Sequence, residues 1–322
     1  MGSICERIKA QFWFFHRCCA EATYIGCSQK RERPYAAFGS KNKNKGEKYN
    51  GEKDSKELKK MNKLCDAYRE FLDNGKTERE CVTEIVRQAE EAGYRNLQAC
   101  IEENTPLHAG DKVYAVCMKK SVVLFQIGSK PLTDGMNILG AHIDSPRMDV
   151  KQNPLYEDTG FSYLDTHYYG GIKKYQWVTL PLAIHGVVAK KDGTVVDVVI
   201  GEDEKDPVFC VTDLLVHLSG EQMEKKAAKV IEGEGLDLLV GSQPLEGEEK
   251  EAVKAMTLKL LNEKYGIEEE DFLSAELEIV PAGKARETGL DSSMIMAYGQ
   301  DDRVCAYTSL VAMLEVKNTK KT

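Results

Sequence analysis

At 322 residues, with 42% hydrophobic and 30% charged residues, the chain is long enough for about two folded domains. Its formal charge of −8 argues against a nucleic-acid binder, which would show a basic stripe, and no apolar run reaches the length of about 18 residues that a membrane-spanning helix needs. The ten cysteines contain no Cys-x-x-Cys pair, which argues against a zinc ribbon and fits a reducing, cytoplasmic compartment.

Residues 1–53 carry 11 Lys/Arg against 5 Asp/Glu, a net of +6 that leaves −14 on the remainder. The apolar patch Phe12 to Phe15 is too short for a signal-peptide core. Lys41 to Lys53 is low in complexity, so a disordered basic extension is expected, either an arm for a partner or a stretch without a folded role. Ser55 then opens a helix with Leu58, Met61, Leu64, Cys65, Tyr68, Phe71 and Leu72 on one stripe, ended by Gly75. Thr77 and Glu80 form a capping box that starts a second helix through Cys81, Ile85 and Ala89, stopped by Gly93. Val113 to Met118 and Val122 to Ile127 read as a hairpin.

The apolar run Met136 to Leu139 reads as a buried strand that delivers Gly140-Ala141-His142-Ile143-Asp144-Ser145-Pro146. On a strand His142 and Asp144 face the same side. A His beside a carboxylate begins many metal sites, because the carboxylate fixes the imidazole's tautomer and orientation. The same residues also read as a polar strand end with a helix-capping Asp-Ser.

Tyr156 to Trp177 is rich in aromatic residues and glycine and reads as packing at a domain junction. Val178 to Ala189 and Val195 to Ile200 read as paired strands around a Lys191-Asp192-Gly193 turn, Glu246 to Glu251 as a solvated loop, Ala252 to Tyr265 as a helix stopped by Gly266, and Ser274 to Val280 as a strand. His16 falls in the extension and His108 in a loop after Pro106-Leu107, while His167 and His185 read as surface or pairing residues. Asp301 and Asp302 stand side by side at the start of a last helix. The helix N-terminus and Arg303 offset part of their repulsion, and a divalent cation would offset more. The other reading is a capping Asp302 with an exposed neighbour.

Four segments, Gly140 to Pro146, Tyr169-Gly170-Gly171, Leu214 to Leu218 and Gly299 to Arg303, resemble in order and approximate spacing the M18 family of zinc aminopeptidases, which includes the aspartyl aminopeptidases; the likeness covers residues 54–322. The resemblance implies an α/β fold, a three-layer α/β/α metallopeptidase sandwich interrupted by a mostly β dimerisation domain. The expected division is a disordered extension over 1–53, catalytic domain over 54–177, dimerisation insert over 178–285 and a return to the catalytic domain over 286–322.

The resemblance also implies two Zn2+ per full-length subunit, replaceable by Mn2+ or Co2+. His142 would be a zinc ligand, Asp301 the carboxylate bridging the two ions, and Asp144 the catalytic-site carboxylate that orients His142. The peptide between Asp301 and Asp302 would be cis, and His217 would bind substrate in the neighbouring subunit's site. The implied substrates are peptides that lose N-terminal residues, and the implied assembly is a homodimer built into a larger, usually dodecameric, homo-oligomer, with no nucleic-acid or membrane partner. Past Asp301 the family supplies a Glu-Glu pair, another Asp and a final His. None is matched here, so the expectation is an incomplete, C-terminally truncated sandwich that is inactive alone. The alternative is a non-catalytic remnant that acts as an oligomerisation module.

Overall fold

The computed structural model describes residues 54–322, and the side chains from residue 57 onward; the basic extension expected over residues 1–53 lies outside the described residues. Helix α1 runs from Asp54 to Asn74 and α2 from Glu78 to Glu91. The capping box forms as the sequence dictates. Thr77 accepts from the Glu80 backbone N–H at 3.3 Å, and the Glu80 carboxylate accepts from the backbone N–H groups of Lys76 and Thr77, both at 2.9 Å. Strands β1 (Arg95–Asn96), β2 (Lys112–Cys117) and β3 (Ser121–Gln126) form a three-stranded sheet, with helix α3 (Leu97–Glu102) between the first two. β1 pairs parallel and β3 antiparallel to the central β2. Ala89 of α2 packs with Tyr94, Tyr114 and Leu314 against this sheet.

The run expected as a buried strand over Met136 to Leu139 forms none. Ile138 is 84% exposed, and no strand among the described residues lies beside the run to give it a ladder. An apolar run marks a strand only where a neighbour takes up its backbone groups. Here Asn137 N–H donates to Thr322 O at 2.8 Å, and Ser129 and Lys130 donate to the carbonyls of Thr319 and Lys320.

The largest element is a seven-stranded sheet of β4 (Arg147–Asp158), β5 (Phe161–Tyr169), β6 (Leu182–Ala189), β7 (Val195–Ile200), β8 (Cys210–Val211), β9 (Leu238–Gly241) and β10 (Ala275–Pro281), in the order β7-β6-β10-β4-β5-β9-β8. All its pairings are antiparallel. β4 and β5 precede residue 178 and share this sheet with strands that follow it. Helix α4 (Ala252–Tyr265) packs through Leu258, Leu261 and Tyr265 on the core of Met148, Leu182, Leu236, Leu238 and Ile279, and Gly266 closes it in the left-handed conformation. Gly186 in β6 is obligatory: its φ is +146°, and a Cβ there would stand 1.9 Å from Glu276 O.

Contacts divide the described residues into two units. Residues 71–285 and 297–322 form one, and residues 54–70 and 286–296 belong to the other. The smaller unit contains the hairpin β11 (Arg286–Thr288) and β12 (Met294–Met296), and its Arg69 lies 3.6 Å from Glu287. The larger unit ends with helix α5 (Gln300–Glu315). The fold is mixed α/β, and no described helix is long and apolar enough to cross a membrane.

Two ionic clusters are buried in the larger unit. His185 of β6 sits between Glu80 Oε1 at 2.8 Å and Glu202 Oε1 at 3.2 Å, and Lys76 Nζ lies 3.2 Å from Glu202. Burial opposes the imidazolium, but the two carboxylates outweigh it and raise the His185 pKa. In the second cluster Arg147 Nη1 donates to Glu78 Oε1 at 2.8 Å, and its Nε lies 2.7 Å from Asp149 and 3.1 Å from Glu278. Burial and the neighbouring Glu78 carboxylate push the Glu278 carboxyl up to about 9.

A carboxyl with a raised folded pKa contributes stability that is present in full below its unfolded value and lost as pH rises through the folded one. Stability therefore declines between about pH 4.5 and pH 9 through this group. Glu278→Gln removes the titration, so denaturation at pH 5, 7 and 9 is expected to show a shallower decline in the variant. Parallel curves for the two proteins would contradict a proton held on Glu278.

Candidate metal centre

His142, Asp144 and Ser145 lie on the irregular stretch that leads into β4, and Asp301 and Asp302 lie at the start of α5. The two stretches are fastened at their backbones. Arg303, whose residue is 1% exposed, donates from Nε to Ile143 O at 3.0 Å and from Nη2 to Lys76 O at 2.9 Å. Buried Ser145 donates from Oγ to Asp301 O at 2.7 Å. Asp301 and Asp302 have non-helical backbone angles, and the peptide between them is cis, as the resemblance implies.

The arrangement corrects the role expected of Arg303. Its guanidinium turns into the core over the Tyr298 ring, 5.3 Å from the centroid, and makes no ion pair with Asp301 or Asp302 among the described residues. Backbone carbonyls hold it there, so Arg303 does not neutralise the two carboxylates. Asp302 likewise makes no side-chain cap on the helix, whose N-cap is Gly299 in the left-handed conformation.

His142 meets carboxylates on both ring nitrogens. Nδ1 lies 3.0 Å from Asp144 Oδ1, while Nε2 faces Asp302 Oδ2 at 3.5 Å and Asp301 Oδ1 at 4.0 Å. Asp144 accepts a second hydrogen bond, from the Tyr169 hydroxyl to Oδ2 at 2.9 Å. Burial would raise the Asp144 pKa, but the bonds from Tyr169 and His142 outweigh it and hold the carboxyl below its usual range. The bond to Asp144 raises the Tyr169 hydroxyl in turn.

An imidazole nitrogen and carboxylate oxygens are the donor types zinc takes, with bonds of about 2.0–2.2 Å, so two ligand atoms on a tetrahedral ion stand about 3.3–3.6 Å apart. Asp302 Oδ2 meets that separation from His142 Nε2, and Asp301 Oδ1 is slightly wider. The residues fit one side of such a site. Among the described residues no group of three or more His, Cys, Asp or Glu is arranged to hold a metal ion.

Sequence reasoning named His142, Asp144 and Asp301, which the structure brings together. It also named His217, which is exposed in the loop between β8 and the helical turn Gly220–Met223 and makes no hydrogen bond or ion pair among the described residues. It missed Ser145 as a tie and Tyr169 as a partner of Asp144. The signal for Tyr169 was present in Gly170-Gly171: Gly170 has a φ of +74° and packs against Pro146, which brings the end of β5 beside the His142 loop.

Ser145→Ala removes the hydroxyl that donates to the Asp301 carbonyl, which costs about 0.5–1.5 kcal/mol. A lower chemical-denaturation midpoint is expected, and an unchanged midpoint would show that the two stretches are held together otherwise.

The profile of the Aminopeptidase I zinc metalloprotease (M18) family matches residues 71–322. The probable M18 family aminopeptidase 1 of Clostridium acetobutylicum is 63% identical over 281 residues, which are 87% of this chain and 60% of that protein. A crystal structure of aminopeptidase I from the same organism superimposes with a TM-score of 0.76 at 63% identity, over 83% of this chain and 59% of the other. The M18 aminopeptidase structure from Thermotoga maritima gives a TM-score of 0.76 at 48% identity, over 82% of this chain and 56% of the other. The chain thus spans a little over half the length of these relatives. A match through nearly all the described residues, with the same fold at high identity, makes the chain a member of the M18 family of zinc metalloproteases.

Proposed function

We propose that the full-length protein is a zinc-dependent aminopeptidase that removes N-terminal residues from peptides at a dinuclear site. The observation that carries this reading is the two-sided environment of His142, with Nδ1 tied to Asp144 and Nε2 turned toward a carboxylate pair that pairs with no Lys or Arg among the described residues. His142 and Asp301, whose side chain is 74% exposed, would hold the metal, with Asp301 the carboxylate shared between two ions, and Mn2+ or Co2+ would serve in place of Zn2+. Bound there, zinc supplies a Lewis acid for the scissile carbonyl and lowers the pKa of a water. Asp144 keeps the proton of His142 on Nδ1, so that the Nε2 lone pair faces the metal position.

The exposed run Leu214, Leu215, Val216 and Leu218 around His217 supports assembly as a homodimer within a larger homo-oligomer, with His217 reaching a neighbouring subunit's substrate. Residues 178–285 are the proposed dimerisation insert, and the proposed location is the cytoplasm. The described residues provide one side of the metal set and no clustered third ligand. The 322-residue chain by itself therefore binds zinc weakly and lacks turnover.

Calorimetric titration of the chain with Zn2+ tests the site, and aminoacyl-nitroanilide hydrolysis with added Zn2+ or Mn2+ tests the turnover. Weak binding is expected, with loss of at least tenfold in affinity in both His142→Ala and Asp301→Asn, and no hydrolysis above the blank. Zinc binding that survives both substitutions would overturn the assignment of the ligands. Turnover abolished by His142→Ala would overturn the proposed inactivity.

A further inference from the structure

Asp144 has two hydrogen-bond partners, and only one of them is the imidazole it orients. The other is the hydroxyl of Tyr169, the last residue of β5. The register of the β4–β5 hairpin places Tyr169 directly opposite Arg147, three residues beyond Asp144. The Arg147 guanidinium lies over the Tyr169 ring, 4.3 Å from its centroid. Arg147 itself is 6% exposed and fixed by Glu78, Asp149 and Glu278. The ring is thus held on one face by a buried cation, and its edge carries the hydroxyl to Asp144. Gly170, the next residue, packs on Pro146.

A carboxylate on an irregular stretch has no ladder to fix its side chain, and a single bond to His142 leaves it free to turn about its own axis. A second bond, from a group whose position is set by the sheet, removes that freedom. We propose that Tyr169 is a positioning residue for the metal site: it locks the Asp144 carboxylate, and through it the Nδ1–H tautomer and ring plane of His142. Arg147 carries the rigidity of the seven-stranded sheet into that lock. The role rests on the reading of His142 as a ligand for its functional meaning, but its structural half, the tautomer, exists without metal.

The test is Tyr169→Phe in the 322-residue chain. This variant keeps the ring over Arg147 and removes only the hydroxyl. Long-range 1H–15N NMR of the His142 ring, without metal and at alkaline pH, reads the tautomer directly. The unsubstituted chain is expected to show a single Nδ1–H tautomer, and the variant averaged shifts from both. Titration with Zn2+ alone is expected to give an affinity about tenfold lower in the variant. Melting temperature serves as the control for a merely structural role. Unchanged 15N shifts and unchanged zinc affinity, with or without a lower melting temperature, would overturn the proposal. Should zinc binding survive His142→Ala while Tyr169→Phe still mixes the tautomers, the ligand assignment fails and the positioning of His142 by Tyr169 stands.

Discussion

The Arg303 guanidinium, buried and bonded to two backbone carbonyls, is the constraint on which the candidate site depends. One bond goes to Ile143, between His142 and Asp144; the other goes to Lys76, just before the N-cap of α2. Taking a guanidinium out of water is costly unless its donors are met, and a carbonyl that loses such a donor is left stranded in turn. Three stretches far apart in sequence are therefore held to one geometry by a side chain on the first turn of α5. Asp301 and Asp302 sit immediately before it, so their placement opposite His142 follows from where the arginine is anchored. Ser145 adds a second tie, to the carbonyl of Asp301 itself.

The large sheet supplies the other boundary. Its strand β4 begins at Arg147, directly after the His142 loop, and the hairpin with β5 returns Tyr169 to the same end. Ionisable groups inside this unit are clustered, with Arg147 among Glu78, Asp149 and Glu278, and His185 between Glu80 and Glu202. Such clusters contribute little net stability compared with apolar packing, but breaking one partner is expensive, so they restrict which arrangements the elements can take. Here the restriction is useful, because both clusters border the segments that carry the site.

Much of this was legible in the sequence. The capping box at Thr77, the hairpin around Lys119-Lys120, the paired strands on either side of Gly193 and the helix stopped by Gly266 all obey local rules and appear where those rules place them. The long hairpin of β4 and β5 was missed for a physical reason. Its inward positions on β5 include Ser162 and Thr166, buried because Ser162 shares a hydrogen bond with Thr257 and Thr166 donates to Leu236 O. A polar residue satisfied by a tertiary partner erases the alternation of apolar and polar residues that marks a strand. The reverse error occurred at Met136 to Leu139, where an apolar run has no neighbouring strand to pair with. At the site, the residue types and spacing of His142, Asp144 and Asp301 were informative because chemistry restricts them. The inward turn of Arg303 was not, since a charge beside two carboxylates reads as their counter-ion until its backbone partners are seen.

His142 and the Asp301–Asp302 pair are proposed to form one side of a zinc site. Anomalous diffraction at the zinc absorption edge, from crystals of the chain soaked in Zn2+, tests it most directly. An anomalous peak is expected within bonding distance of His142 Nε2 and an Asp301 carboxylate oxygen, with His142 Nδ1 still on Asp144. A peak elsewhere with none at His142, in crystals where Zn2+ has bound, would contradict it.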